Sequence, residues 1–376
     1  MAEIDDYLDH EEQFHPKGKR ESRRERKERR INDRSKYKKS DRDQKKTRLK
    51  NGQPPSGVRY LRGRVLTISA ALITVSSGRE AYRCTLKGSL KKEKTKRKNL
   101  ITVGDWVRFD KTDKGSGVIA SVEQRSSFLI RADNLSRRKQ QLIASNIDQV
   151  FIVLSVVHPK FKPLLVDRYI LSAKKGKMEP VIVINKIDLL SNSVKTIPAK
   201  EVAAEKISFE TFLDAYKPIG IPIIPLSVAT GENLDRLKKR LENKTSVFSG
   251  QSGVGKSSLI NAVLGRKLAV SAVALKTNKG SHATTAAQLI PIENGGFCID
   301  TPGIKSFGLW ENDPSSIPEI FPDFLAFAPD CRFPNCRHIH EPDCAVIKAL
   351  EEKAIHPLRY ASYTALLEDI PPKEWQ

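Results

Sequence analysis

Eight consecutive residues, Gly250-Gln251-Ser252-Gly253-Val254-Gly255-Lys256-Ser257, fit the pattern Gly-x4-Gly-Lys-Ser/Thr, and Ser258 follows them. Glycines so spaced let backbone N–H groups wrap phosphate oxygens, and the start of a helix just beyond adds favourable potential. Lys256 would neutralise charge on the β- and γ-phosphates, and Ser257 would ligate Mg²⁺. Upstream, Asn185-Lys186-Ile187-Asp188 offers a carboxylate that can accept from guanine N1–H and N2–H₂ together. Adenine presents no such pair, so Asp188 would choose GTP over ATP. Ser227-Val228-Ala229 would add backbone contacts to the guanine edge. The tetrapeptide alone is a weak signal; with the phosphate loop it becomes specific for a guanine nucleotide, GTP or GDP.

Two further segments fit the same chemistry. Asp300-Thr301-Pro302-Gly303 closes an apolar run. Asp300 could hold Mg²⁺ through water, and the Gly303 N–H could bond the γ-phosphate. By itself this would read as an ordinary strand-to-turn transition. Between it and the phosphate loop, Lys279-Gly280-Ser281-His282-Ala283-Thr284-Thr285 supplies a threonine hydroxyl to complete Mg²⁺ coordination. His282 is the single ionisable histidine expected near the nucleotide, and the residues alone leave it balanced between a catalytic group and an exposed loop. Further on, Cys331-x4-Cys336-x-His338-x5-Cys344 gathers three thiolates and an imidazole within fourteen residues. That donor set suits a closed, tetrahedral, structural Zn²⁺ site, with His340 as a rival nitrogen ligand. Cys84 and Cys298 read as core strand residues.

These groups need a scaffold. After about Ser145, apolar runs at Val150–Leu154, Val181–Ile184, Ile221–Pro225, Val247–Ser249 and Phe297–Ile299 alternate with helical patterns at Asp167–Lys174, Asn233–Leu241 and Ser257–Leu264. Such alternation predicts a largely parallel α/β sheet covered on both faces, and the nucleotide motifs fall where its strands end. The guanine-reading segments precede the phosphate loop, the reverse of the usual GTPase order, so the domain reads as circularly permuted. Before it, five short β-branched runs between Val58 and Arg131 predict a small barrel. Tyr60, Tyr82, Trp106 and Phe109 could stack on bases there, although a barrel this small needs most of its aromatics inside. Two helical segments, Ala345–Lys353 and Pro357–Leu367, end the chain.

Charge suggests the partner. The 376 residues carry a net +22, which points to a polyanionic partner such as nucleic acid or an anionic membrane. Lys17–Lys50 holds 18 Lys/Arg against 6 Asp/Glu and almost nothing apolar, so it reads as a disordered arm, with RNA binding slightly favoured over a solvating tail. Lys87–Lys98 adds seven more Lys/Arg within the barrel. No apolar run is long enough to span a bilayer, and the acidic first sixteen residues fit neither a secretory signal nor a transit peptide. With five cysteines and no such signal, a reducing cytoplasm is the expected compartment, and nothing calls for more than a monomer. An RNA-binding or RNA-chaperone protein whose nucleotide site is only structural is the alternative.

The permuted order, with a barrel before it and a Cys/His cluster after it, resembles the RsgA (YjeQ) family of small-ribosomal-subunit biogenesis GTPases. The likeness runs through Asn146-Ile147-Asp148-Gln149-Val150, Asp167-Arg168-Tyr169, Gly250–Ser258 and Cys331 through Ala345. It implies an OB-fold RNA-binding domain over 57–132, a circularly permuted GTPase domain over 133–308 and a mainly α zinc-binding domain over 309–376; the basic extension over 1–56 is larger than the family core requires, and its role is not carried over. It also implies binding to the small ribosomal subunit and its rRNA, stimulation of GTP hydrolysis by that subunit, and a role late in its maturation. Ile304 stands where many GTPases place a water-orienting Gln, and the resemblance gives water activation to His282. Family members commonly read His-Thr-Thr-Thr; here Ala283 intervenes, leaving Thr284 as the Mg²⁺ ligand and Thr285 as its rival.

Overall fold

The structure is a computed structural model. It describes residues 60–69, 72–88, 90, 100–112, 115–132, 140–191, 197–264, 287–293, 295–300 and 317–368. His282, Thr284, Thr285, Gly303, Ile304 and the basic extension lie outside them, as does most of the basic barrel loop.

Strands that alternate inside and outside come first. β1 (Leu61–Ile68), β2 (Ile73–Ser77), β3 (Glu80–Leu86), β4 (Trp106–Lys111) and β5 (Ser116–Val122) match the five runs expected from sequence. They pair in the order β1-β2-β3-β5-β4, and β4 returns to β1, closing a barrel with one parallel pair, β3 with β5. Val65, Val75, Cys84, Val107, Phe109 and Ile119 are fully buried inside this OB-fold barrel. Phe109 and Tyr82 therefore belong to its core, whereas Trp106 is half-buried at the surface, with the Arg62 guanidinium 4.1 Å from its ring centroid.

A hairpin, β6 (Phe128–Ala132) with β7 (Gln140–Ser145), leads into the parallel sheet. Its strands are β8 (Gln149–Ser155), β9 (Glu179–Asn185), β10 (Ile223–Pro225), β11 (Thr245–Gly250) and β13 (Phe297–Asp300), with β12 (Gln288–Pro291) antiparallel to β13. The order is β10-β9-β8-β11-β13-β12. Every residue of β8 and β11 is buried, as a strand covered on both faces requires. One face, carrying Val150, Ile152 and Leu154, packs against α1 (Leu164–Lys175) and α2 (Ala199–Tyr216). The other, carrying Phe151 and Val153, packs against α3 (Leu234–Leu241) and α4 (Lys256–Leu264).

The chain ends in a small helical region: α5 (Pro322–Leu325), α6 (Ala345–Glu351) and α7 (Pro357–Glu368). Its apolar residues, among them Phe321, Phe324, Tyr363 and Leu366, share one continuous core with α1 and α2. The barrel likewise continues the sheet, since β1 pairs with β12 at Thr67 and Gln288. No helix among the described residues is long and apolar enough to cross a membrane.

Candidate functional site

The carboxyl ends of β9, β10, β11 and β13 converge, and each nucleotide motif starts from one of them. The phosphate loop leaves β11 at Gly250, whose φ of +150° and whose nearness to the Val153 carbonyl (2.1 Å from where a Cβ would stand) exclude a side chain. The loop re-enters a helix at Lys256. Lys256 donates to the carbonyls of Gly250 (2.8 Å) and Gln251 (2.6 Å), and burial lowers its pKa. A half-buried ammonium whose hydrogen bonds among the described residues go to loop carbonyls is placed for an anion. Ser257 and Ser258 stand exposed on the first turn of α4.

The guanine-reading segment is locked to this loop. Asn185, 2% exposed, donates from Nδ2 to the Val254 carbonyl (2.9 Å) and accepts the Lys186 N–H at Oδ1 (2.8 Å). Any Cβ on Gly255 would come within 2.4 Å of that Nδ2, so only glycine allows the two loops so close. Lys186 adopts left-handed backbone (φ +66°), turning its ammonium to the Gly253 carbonyl at 2.8 Å. Burial lowers its pKa, and Asp188 opposes the shift. Ser227, fully buried at the end of β10, donates its hydroxyl to Asp188 Oδ1 at 2.6 Å, and the Val228 N–H reaches Asn185 Oδ1 at 3.4 Å. Asp188 is thus held by the neighbouring loop with its second oxygen free of that contact.

One element escaped the sequence reading. The Lys186 ammonium also donates to the His158 carbonyl, and the Pro159 ring lies 3.5 Å from where a Cβ on Gly253 would sit. The loop after β8 therefore lines the same site through its backbone and the Pro159 ring. The signal was available, because loops at the carboxyl ends of parallel strands surround the ligand crevice. Asp300 closes β13 in register with Gln288.

In the C-terminal region, donor atoms of Cys331, Cys336, His338 and Cys344 all lie within 4.8 Å of one another. Cys331 Sγ is 3.9 Å from Cys344 Sγ, and His338 Nδ1 is 3.5 and 3.4 Å from those sulfurs. A tetrahedral ion with Zn–S near 2.3 Å has ligand edges of about 3.8 Å, so the set fits zinc. Burial pushes the Cys336 thiol up to about 12; the His338 N–H opposes this, and the thiols of Cys344 and Cys331 reinforce it. A divalent cation reverses that balance. Burial also lowers the His338 pKa, against Glu341, favouring the neutral imidazole that binds metal. His338, not His340, joins the cluster. Burial works to raise the Glu341 carboxyl, yet N–H groups of Ile339, Arg337, Glu341 itself and His340 bring it down to about 2. Cys84 and Cys298 are buried in strands, as expected.

Known proteins share this arrangement. The family model described as RsgA GTPase matches residues 122–310, and that of the RsgA N-terminal domain matches 62–119. The small ribosomal subunit biogenesis GTPase RsgA of Chlorobaculum parvum is 37% identical over 320 residues, covering 82% of this chain and 98% of its own. RsgA 2 of Bacteroides thetaiotaomicron is 34% identical over 287 residues, covering 76% and 89%. The crystal structure of YjeQ from Thermotoga maritima superposes with a TM-score of 0.66 at 29% identity, covering 84% of this chain and all of that one. YloQ, a circularly permuted GTPase, shares the fold with a TM-score of 0.63 at 23% identity, covering 86% and 99%. By its motifs, its permuted sheet and these relatives, the chain belongs to the RsgA GTPase family and is a GTP hydrolase.

Proposed function

We propose that this GTPase acts on the small ribosomal subunit, hydrolysing GTP to GDP and phosphate when that subunit stimulates it during late maturation. The observation that carries the reading is the clasp between Asn185–Lys186 and Val254–Gly253, which joins guanine reader and phosphate loop into one nucleotide cradle. Backbone N–H groups of Gly250–Ser258 would cradle the phosphates, Lys256 would neutralise them, and Asp188, oriented by Ser227, would read guanine with Val228 beside it. Ser257 and Thr284 would hold Mg²⁺, which supplies charge neutralisation at the β- and γ-oxygens. His282 would orient and deprotonate the attacking water, while Asp300 and the Gly303 N–H would sense the γ-phosphate. Cys331, Cys336, His338 and Cys344 would hold one zinc as a structural staple, and the barrel would face rRNA. The names of the curated relatives support this assignment.

GTP turnover measured with purified small subunits, large subunits and buffer tests it. Stimulation should be confined to small subunits. His282→Ala should lose that stimulation while keeping nucleotide affinity; a variant hydrolysing GTP normally removes the histidine from the mechanism.

A further inference from the structure

At the sheet edge farthest from the barrel, a groove of about 630 Å³ runs between β10 and α3. Its walls carry Arg236, Lys239, Arg240 and Lys244 against the single carboxylate of Glu242. Arg240 and Lys244 both pair with Glu179. Arg236 and Lys239 are exposed and enter no ion pair among the described residues. Leu237 and Leu241 bury the opposite side of α3, so these cations are turned outward by the helix's own periodicity.

Local stability explains only part of this pattern. Lys239 and Arg240 lie in the last turn of α3, where cations complement the helix dipole. Arg236 lies in the first turn, where a cation opposes it, and no ion pair offsets the cost. The strand beside it also limits the guest. β10 is an edge strand of only three residues, and Pro222 and Pro225 contribute no N–H, so an added peptide strand would find little ladder to join. Charge is what this groove offers.

Resting on the rRNA reading above, we infer that the β10–α3 groove is a second RNA-docking surface that takes the phosphate backbone through Arg236 and Lys239. It opens where β10 and β11 begin, whereas the phosphate loop lies where β11 ends. The 6 residues of β11, five steps of about 3.3 Å, separate the two by roughly 17 Å. RNA docked there would therefore leave the phosphate loop open.

The test uses the full chain, a labelled 20-nucleotide RNA stem-loop of small-subunit sequence, and a salt titration of its binding. Arg236→Gln/Lys239→Gln should weaken binding about tenfold at low salt and reduce the slope of log K against log salt by about 1.4 to 1.8, the value for two lost phosphate contacts. GTP turnover and the melting temperature should stay as in the wild type, since both residues are exposed. Wild-type binding with an unchanged slope in the variant overturns the groove assignment and leaves the ribosomal reading standing. No salt-dependent RNA binding by the wild type overturns both. If the variant loses competition by polyglutamate but binds RNA as before, the groove serves an acidic peptide and the RNA assignment falls.

Discussion

Two seams hold the three parts of this molecule together, and they are built on different physics. Between barrel and GTPase domain the seam is polar and rich in backbone. Asp105, fully buried, accepts from Arg125 Nε (2.7 Å) and Nη2 (2.8 Å), from the Ser145 hydroxyl (2.5 Å) and from the Thr102 N–H (2.8 Å). Arg64 donates to the Asn146 carbonyl at 2.7 Å, with its guanidinium 4.9 Å from the Phe297 ring centroid. Between the GTPase domain and the C-terminal region the seam is an apolar core with one buried arginine at its centre. Arg359, on α7, donates to Asp167 on α1, to both oxygens of Asp323 (3.0 and 3.1 Å) and to the Ile320 carbonyl (2.9 Å). Phe321 and Tyr216 cover the faces of its guanidinium at 4.3 and 4.9 Å. The first seam spreads its load over several groups, of which Arg125 is partly open to water; the second concentrates its charge on one cation with no exposure. The first can lose a contact and admit solvent, and the second cannot.

The largest effect should come from that concentration. Burial works against the charge of Arg359, but Asp167 and then Asp323 outweigh it and raise its pKa. Arg359→Ala leaves Asp167 buried without its cation and should destabilise the chain by about 3–5 kcal/mol in denaturant unfolding. Arg359→Met with Asp167→Asn should recover most of the loss, because the altered pair leaves no uncompensated charge of its own buried. A loss below about 1 kcal/mol in the single variant would mean that the aromatic core alone docks the C-terminal region.

The polar seam should break more gently. Arg125 keeps 26% of its side chain exposed, so water can reach part of what it leaves. Arg125→Ala should cost about 1–3 kcal/mol, less than Arg359→Ala in the same assay. The reverse ranking would show that the barrel is the more tightly held partner.

Neither seam was legible in the sequence, and the reason is separation. Asp167 and Arg359 stand 192 residues apart, and Asp105 and Arg125 twenty. Read along the chain, each is an ordinary charge beside apolar residues. The nucleotide site was legible because Gly250–Ser257 packs strand, turn, helix start and cation into one stretch, and the barrel because β3 alternates buried Tyr82 and Cys84 with exposed neighbours. Helix α2 was missed because its inward positions include Glu205 beside Val202, Phe212 and Tyr216, which blurs the apolar stripe. The β6–β7 hairpin was missed because its strands carry Arg131, Gln140 and Gln141 among the apolar residues. The permuted order was read directly, but not its consequence: the C-terminal region docks on α1 and α2, helices preceding the phosphate loop, as well as following Asp300 along the chain.

The smallest effect is expected where the second seam meets the cluster of Cys331, Cys336, His338 and Cys344. Helix α7 carries Arg359 toward the sheet and, one and four residues on, two tyrosines toward the cysteine loop. Tyr360 donates to the His338 carbonyl at 2.8 Å and Tyr363 to the Arg337 carbonyl at 2.9 Å. Each hydroxyl fixes the left-handed turn at His338 (φ +57°) that aims the imidazole at the sulfurs. Tyr360→Phe removes one such bond and should cost only about 0.5–1.5 kcal/mol. Its signature lies in kinetics rather than stability, since a loosened loop should surrender zinc to a chelator faster than the wild type does. If zinc release is unchanged in Tyr360→Phe yet quickens in Arg359→Ala, the docking of α7 as a whole holds the loop, and the tyrosine bonds merely follow it.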